Sequence, residues 1–322
     1  CGKILMHIAL GIDIGGTKIS AALVSPSGRI LARGKSPTPP KAKPAVILKH
    51  VLEIAEEITG AKQLPRAAIA GIGVGVPGIV APRNKILATP NINLAKFPLC
   101  EKIKRRWKTR VLAGNDVNLG LLGEQWLGAG RKAKNIVGVF PGTGVGGAVI
   151  LDGRLWIGAD GAAAEFGHMI MDIDGPLCSC GNRGCLEALT GRWAIERDIR
   201  QAINNKQHTI ITSLLDDPLA PIKSKILKTA LKHKDPLTLN IMNQAAQTMG
   251  KACISLRHIF NPELLILGGG VIEACGDFML PVIKRVFKSD PFFKKIDHCD
   301  IAISHLGDDA VILGAVAMVK RG

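Results

Sequence analysis

One pattern of strands and turns occurs twice in this chain, and it restricts the possible folds more than any other feature. Ile8, Leu10, Ile12 and Ile14 alternate with Ala9, Gly11 and Asp13, as in a strand with one buried face. Gly15-Gly16-Thr17 turns that strand, Ile19–Val24 supplies the next, Ser25-Pro26-Ser27-Gly28 turns again, and Arg29–Ala32 forms a third. The order returns later. Strand Ile136–Phe140 meets the turn Gly142-Thr143-Gly144, strand Gly147–Leu151 meets the two-residue turn Asp152-Gly153, and strand Arg154–Ile157 follows. Two copies of this arrangement predict an internal duplication. Two similar domains are expected to face each other, each presenting one Gly/Thr turn to a shared cleft.

The remaining elements alternate helix and strand. Beyond Pro37, Pro39, Pro40 and Pro44, a helix carries Ile47, Val51, Ile54, Ala55 and Ile58 on one face. Ala67–Val76 is a glycine-rich strand ending at Pro77-Gly78, and its glycines predict close backbone approach. A basic helix around Glu101–Trp107 leads into strand Arg110–Ala113, then Gly114-Asn115-Asp116, then a helix from Val117 to about Leu127. Helical sequence runs from Ala188 to Ile203, and a long helix covers Leu239–Phe260 before Asn261-Pro262. Strand Leu264–Leu267 enters Gly268-Gly269-Gly270, strand Asp300–Ser304 follows, and a last helix begins at Asp308 or Asp309, where acids suit a helix N-terminus. Residues 204–238 are polar, basic and punctuated by proline, with no assigned role.

Residues 165–187 hold the densest chemistry. Cys178, Cys180 and Cys185 lie close together in one loop, and His168 precedes them. Four such donors suit a tetrahedral Zn2+, whose N/S ligands lie about 2.0–2.3 Å away. Gly181 and Gly184 let the backbone fold back between the ligands. A closed Cys3His set leaves no coordination position for a substrate, so the metal is expected to be structural and to hold the bracketing Glu165 and Glu187. Unrelated buried thiols are the plainer reading of cysteine; the Cys-x-Cys-Gly-x-x-Gly-Cys spacing favours the metal.

Composition narrows the partners. At 322 residues the chain is long enough for two domains with their own cores. The net charge of +16 fits a nucleic acid, an anionic small substrate or a solvated basic surface. Aromatics make up 4% with no tyrosine, which disfavours base-stacking platforms, and the lysines are scattered, so no nucleic-acid partner is expected. Clustered thiols serve better as metal ligands than as disulfides and point to a reducing compartment, while Cys1, Cys100, Cys253, Cys275 and Cys299 stand apart. The apolar runs Ile4–Leu10 and Leu264–Ile272 are too short to span a bilayer, and nothing resembles a signal peptide. A cytoplasmic chain without a membrane partner is expected.

Gly15-Gly16-Thr17-Lys18, Gly142-Thr143-Gly144 and Gly268-Gly269-Gly270 each end a strand. Backbone N–H groups at such turns can cradle phosphate oxygens, although any tight turn favours glycine; three in a duplicated fold favour a nucleotide. Gly73-x-Gly75-x-x-Gly78 and Gly142-x-Gly144-x-x-Gly147 match the dinucleotide spacing but lead into no helix, which argues against a Rossmann site. Asp13 either closes its turn or holds Mg2+, usually through water. Asp116 either caps the following helix or takes a proton from a hydroxyl as a general base.

Together, Asp13–Lys18, Gly75–Gly78, Thr89-Pro90-Asn91, Asn115-Asp116, Gly142–Gly147, Glu165–His168, Cys178–Glu187 and Leu267–Gly270 resemble the ROK family of sugar kinases and repressors, in the actin/hexokinase/Hsp70-like superfamily. The resemblance runs over nearly the whole chain, and the Glu-x-Gly-His and Cys-x-Cys-Gly-x-x-Gly-Cys-x-Glu pair is its most specific part. It implies an α/β fold of two duplicated ribonuclease-H-like domains, each a mixed sheet flanked by helices. The expected division is a small domain of 1–114 plus 306–322 and a large one, 115–305, carrying the zinc loop.

The same resemblance implies ATP as donor, with Gly15, Gly16, Thr17, Lys18, Gly142, Thr143, Gly144, Gly268, Gly269 and Gly270 on the nucleotide and Asp13 on Mg2+. Asp116 would activate the sugar 6-hydroxyl, and Gly78, Asn91, Asn115, Glu165, His168 and Glu187 would line the sugar pocket. His168 would give one ring nitrogen to zinc and the other to sugar. A glucokinase forming glucose 6-phosphate is expected. N-acetylmannosamine, N-acetylglucosamine and fructose kinases are the alternatives, together with a polyphosphate-using kinase, although relatives using that donor tend to lack the zinc motif. Family repressors carry a helix-turn-helix before the first Gly-rich turn; twelve residues precede Asp13 here, so a kinase is expected rather than a repressor. Ala164 stands where many relatives have Gly, and Asn91–Leu99 lacks the Trp or Gly of many glucokinases; both bear on the choice of sugar. A homodimer is implied by the resemblance alone.

Overall fold

The computed structural model describes residues 7–296 and 298–321. Cys1 and the start of the Ile4–Leu10 run lie outside the described residues. In chain order, β1 (Ile8–Ile14), β2 (Lys18–Val24) and β3 (Ile30–Pro37) form the expected antiparallel meander. Helix α1 (Pro44–Ala61) follows, then β4 (Ile69–Val76), a small hairpin of β5 (Ile79–Ala81) and β6 (Lys85–Ala88), α2 (Leu99–Trp107), β7 (Val111–Asn115) and α3 (Asp116–Leu127). The pattern resumes with β8 (Ile136–Pro141), β9 (Val145–Leu151) and β10 (Arg154–Leu155). Beyond it come α4 (Leu186–Thr190), α5 (Arg192–Asn204), α6 (Ile211–Leu214), α7 (Ser224–Lys232), α8 (Pro236–Phe260), β11 (Leu264–Leu267), α9 (Gly269–Lys288), β12 (Asp300–Ile303) and α10 (Ala310–Arg321).

The duplication is visible in the strand orders. One sheet runs β3-β2-β1-β4-β7 and the other β10-β9-β8-β11-β12, so each joins a meander to two further strands. Those added strands pair in parallel: β1 with β4 and β4 with β7 in the first sheet, β8 with β11 and β11 with β12 in the second.

The chain divides into two compact units, one of 1–134, 148–163 and 305–322, the other of 135–147 and 164–304. In the first, β1 is covered on both faces. Its isoleucines and Leu10 join Ile47, Val51, Ile54 and Ile58 of α1, while Ala9 packs with Ile312, Leu313 and Val316 of α10. The glycines of β4 serve that second face. A Cβ at Gly73 would lie 2.1 Å from the Ala315 carbonyl oxygen, and one at Gly75 would lie 2.5 Å from Val311 Cγ1. The close approach predicted for this strand is therefore the seating of α10. Helix α3 packs on α10 as well and so falls in the first unit, whereas the expected boundary assigned residues from 115 onward to the larger domain.

The second unit departs from the sequence expectation in four places. The helix expected over 188–203 is two helices, because Gly191 is extended (φ −65°, ψ 153°) between α4 and α5. Gly268-Gly269-Gly270 not only ends a strand but opens the 20-residue helix α9. The 204–238 segment contains α6 and α7. Helix α8 starts at Pro236, with Asp235 Oδ2 accepting from the Thr238 N–H at 2.9 Å and from its hydroxyl at 2.6 Å. An Asp cap followed by proline at the first helical position is a strong start signal. Among the described residues no helix is long and apolar enough to cross a membrane.

Candidate active site and metal centre

In the first unit, the parallel register pairs Asp13 with Gly75 and Gly75 with Gly114, so β1, β4 and β7 end level with one another. The carboxyl ends of parallel strands are where α/β sheets present ligand sites. Helix α3 begins there, and Asn115 is its cap: Oδ1 accepts from the Asn118 N–H at 2.9 Å. Asn115 Nδ2 donates to the Gly78 carbonyl at 2.9 Å and to Asp116 Oδ1 at 3.0 Å. Asp116 Oδ1 also accepts from the Val117 N–H at 2.9 Å. The capping alternative thus belongs to Asn115, and Asp116 occupies the first helical position with its carboxylate oriented by two donors. Gly78 needs to be glycine there: its φ is 101°, and a Cβ would lie 2.1 Å from the Ala88 carbonyl oxygen.

The first Gly/Thr turn is held by backbone and one hydroxyl. Gly15 N–H donates to the Lys18 carbonyl, the Thr38 N–H to the Thr17 carbonyl, and Thr38 Oγ1 to the Gly15 carbonyl at 2.7 Å. Asn91 lies against Gly16, beside a cavity of about 530 Å³ also lined by Thr38 and Asn93. Lys18 Nζ pairs with Asp308 Oδ2 at 2.7 Å, and Arg33 grips both oxygens of Asp309. Burial pushes the Asp13 carboxyl up to about 7; Asp116 and Asp308 add to the rise and Lys18 opposes it. Two further carboxylates, Asp116 and Asp308, thus bear on Asp13 through their charge.

In the second unit the four expected metal ligands converge. One donor atom each from His168, Cys178, Cys180 and Cys185 lie within 4.8 Å of one another. Cys180 Sγ and Cys185 Sγ are 3.7 Å apart, as are Cys178 Sγ and His168 Nδ1. A tetrahedron with bonds of about 2.3 Å has an edge of about 3.8 Å, so these two separations match edges of a Zn2+ site. Burial, with Cys180 and Cys178 adding, pushes the Cys185 thiol up to about 12, the crowding that a bound cation relieves. Nδ1 is the histidine nitrogen on the thiol side. Gly181 and Gly184 both have positive φ, as expected for the fold-back.

The flanking acids gather on this loop. Desolvation raises the Glu165 carboxyl, with Glu187 adding and His168 opposing, so the three groups share one field. Ala164, before Glu165, is buried and left-handed at φ 65°, a conformation that suits the Gly found in many relatives. Glu187 is heavily bonded. Its Oε2 accepts from the Val145 N–H at 2.9 Å, and its Oε1 from Ser179 Oγ at 3.2 Å and Trp193 Nε1 at 3.3 Å. Glu187 therefore ties the cysteine loop to the turn Gly142-Thr143-Gly144. Gly268 and Gly269 lie against Phe140 and Pro141, so the two glycine turns of this unit are neighbours at the ends of β8 and β11. The sequence marks Asp308 only as a helix start and does not mark Ser179, Arg192 or Trp193; each is a common residue type whose partner is revealed by folding.

Residues 9–322 match the ROK family. The chain belongs to that family. It is 32% identical to a glucokinase of Thermotoga maritima over 97% of each chain. It is 30% identical to a xylose repressor of Caldicellulosiruptor bescii, over 96% of this chain and 77% of the repressor. Among solved structures, a ROK family glucokinase from Streptomyces griseus, in complex with glucose and AMPPNP, superposes with a TM-score of 0.81 at 30% identity, covering 98% of this chain and all of the other. A ROK hexokinase from Thermus thermophilus gives 0.83 at 29% identity with the same coverage. This ROK member shares the actin-like ATPase fold of those kinases.

Proposed function

We propose that this sugar phosphotransferase is an ATP-dependent hexose kinase that prefers glucose and forms glucose 6-phosphate, with Asp116 as general base. The observation that carries the reading is the division of labour at the end of β7. Asn115 caps α3, and Asp116, oriented through Oδ1, stands beside Asp13 at the carboxyl ends of the parallel strands. A base so placed takes the proton of the sugar 6-hydroxyl as the oxygen attacks the terminal phosphorus, and ADP leaves. Phosphoryl transfer depends mainly on position and charge. Lys18 and the N–H groups of the three glycine turns supply positive charge and donors for the phosphates. Mg2+ at Asp13 would neutralise developing charge on the phosphates. Glu165, Glu187 and the far nitrogen of His168 accept from or donate to sugar hydroxyls, and a zinc held by His168, Cys178, Cys180 and Cys185 would fix the tautomer and orientation of that imidazole.

The relatives with glucokinase names and the glucose-bound structure support glucose over N-acetylmannosamine, N-acetylglucosamine or fructose, and the AMPPNP in that structure supports ATP over polyphosphate. A cytoplasmic homodimer goes with this reading. The deciding experiment is a panel of sugars offered with ATP or polyphosphate, with ADP or phosphate ester measured. Turnover fastest on glucose with ATP is expected, and no turnover on any sugar would overturn the proposal. A sugar-sensing regulator is the second reading, favoured by the identity to xylose repressors. Salt-dependent retardation of DNA, without ATP turnover, would select it.

A further inference from the structure

The turn Gly142–Gly144 is also bound to a segment that the proposed reaction leaves unused. Two carbonyls of the turn point at the start of α5: Gly142 O accepts from the Arg192 N–H at 3.0 Å, and Thr143 O from the Trp193 N–H at 3.2 Å. In a trans peptide the N–H points opposite to the C=O of the same plane. The N–H groups of Thr143 and Gly144 are therefore aimed away from α5, the orientation a phosphate cradle requires.

The Arg192 side chain adds a clamp of its own. Arg192 Nη2 donates to Thr143 Oγ1 at 2.8 Å, Nη1 reaches the Ile222 carbonyl at 3.4 Å, and the guanidinium is 3.8 Å from Glu196. Glu196 in turn pairs with Arg200 at 2.8 Å, and Arg200 donates to the carbonyls of Pro218 at 2.8 Å and Ala220 at 2.6 Å. Two arginines and one glutamate thus strap residues 218–222 to α5 and, through Arg192, to the turn. A planar fork can serve acceptors in separate directions at once, which a lysine ammonium on a flexible stem does poorly.

We propose that Arg192 is a positioning residue for the nucleotide: it orients the Gly142–Gly144 turn through Thr143 and makes that orientation depend on the 218–222 strap. This rests on the reading of the turn as a phosphate-binding element. It gives the basic, proline-punctuated segment a role, as the fixed point against which the turn is set.

Steady-state kinetics of the full chain test it. Arg192→Lys should raise the KM for ATP about tenfold, the effect of one charge-assisted hydrogen bond, while the KM for sugar stays within about twofold. Thr143→Val should do the same, and the double variant should show no further rise, because both changes break one contact. Hydrogen exchange should quicken at 143–145 and 218–222 together in Arg192→Lys. An unchanged KM for ATP, additive effects, or a matching rise in the KM for sugar would overturn the assignment. Binding of a fluorescent ATP analogue to the unaltered protein separates the two levels: no binding would remove the nucleotide reading itself, whereas binding with no change in Arg192→Lys would remove only the role of Arg192.

Discussion

The two Gly/Thr turns occupy equivalent places in sheets of the same strand order, yet they are held in different ways. Gly15-Gly16-Thr17 is closed by its own backbone and by Thr38, and the groups around it are charged: Asp13, Lys18, Asp116 and Asp308. Gly142-Thr143-Gly144 is clamped from outside by Glu187 on one side and by Arg192 and Trp193 on the other. Duplication thus preserved where the strands end without preserving what surrounds those ends. The first turn is governed by electrostatics and should respond to pH and divalent cations. The second is governed by hydrogen bonds with Glu187, Arg192 and Trp193.

The largest effect that tests this contrast is at Asp116. Asp116→Asn should lower kcat by about 10²–10⁴ while sugar binding, measured by calorimetry, changes little. Substantial remaining turnover would take the base away from the first unit. Next is the metal loop. Elemental analysis should find about one zinc per chain, and Cys180→Ala should weaken sugar affinity by about 10–100-fold. Hydrogen exchange should then quicken at the Val145 amide and stay unchanged at Gly15. Equal loosening at both turns would show that they are not independently supported.

A smaller effect concerns pH. Folded Asp13 holds its proton up to about 7, whereas an unfolded aspartate releases it near about 4. The folded state therefore binds more protons between those values, and stability falls as pH rises through that window and levels off above it. Thermal melts without divalent cation should show this decline, Asp13→Asn should flatten it, and Mg2+ should stabilise more at pH 7.5 than at pH 5. A melt indifferent to Mg2+ at both pH values would break the electrostatic description of the first turn. The smallest expected change is Ala164→Gly, which relieves a left-handed alanine and should stabilise by about 1 kcal/mol in denaturant unfolding. A loss of stability would mean that packing of the Ala164 methyl outweighs its backbone strain.

Much of this was legible in the residues because it is local. Alternating isoleucines, Gly/Thr turns and Asp152-Gly153 determined both meanders, and the spacing from His168 to Cys185 pointed to the cluster of four donor side chains, since one short segment supplies every donor. Boundaries failed where a local signal was ambiguous: Gly191 broke a continuous helical pattern, and Gly268–Gly270 could equally end a strand or open a helix. Whether Asp116 caps α3 or serves as a base was likewise open, and the bond from the Asn118 N–H gives the cap to Asn115, which the sequence reading did not consider for it.

The tertiary structure alone decided what depends on distance through space. Lys18 and Asp308 are 290 positions apart in the chain yet in contact at 2.7 Å, and Arg192 meets Thr143 across 49. Burial and two other acids, not the sequence around Asp13, raise its carboxyl to about 7. Periodicity and turn chemistry act over a few residues and can be read in order. Desolvation, charge coupling and side-chain clamps act over a few ångströms and exist only once the chain has folded.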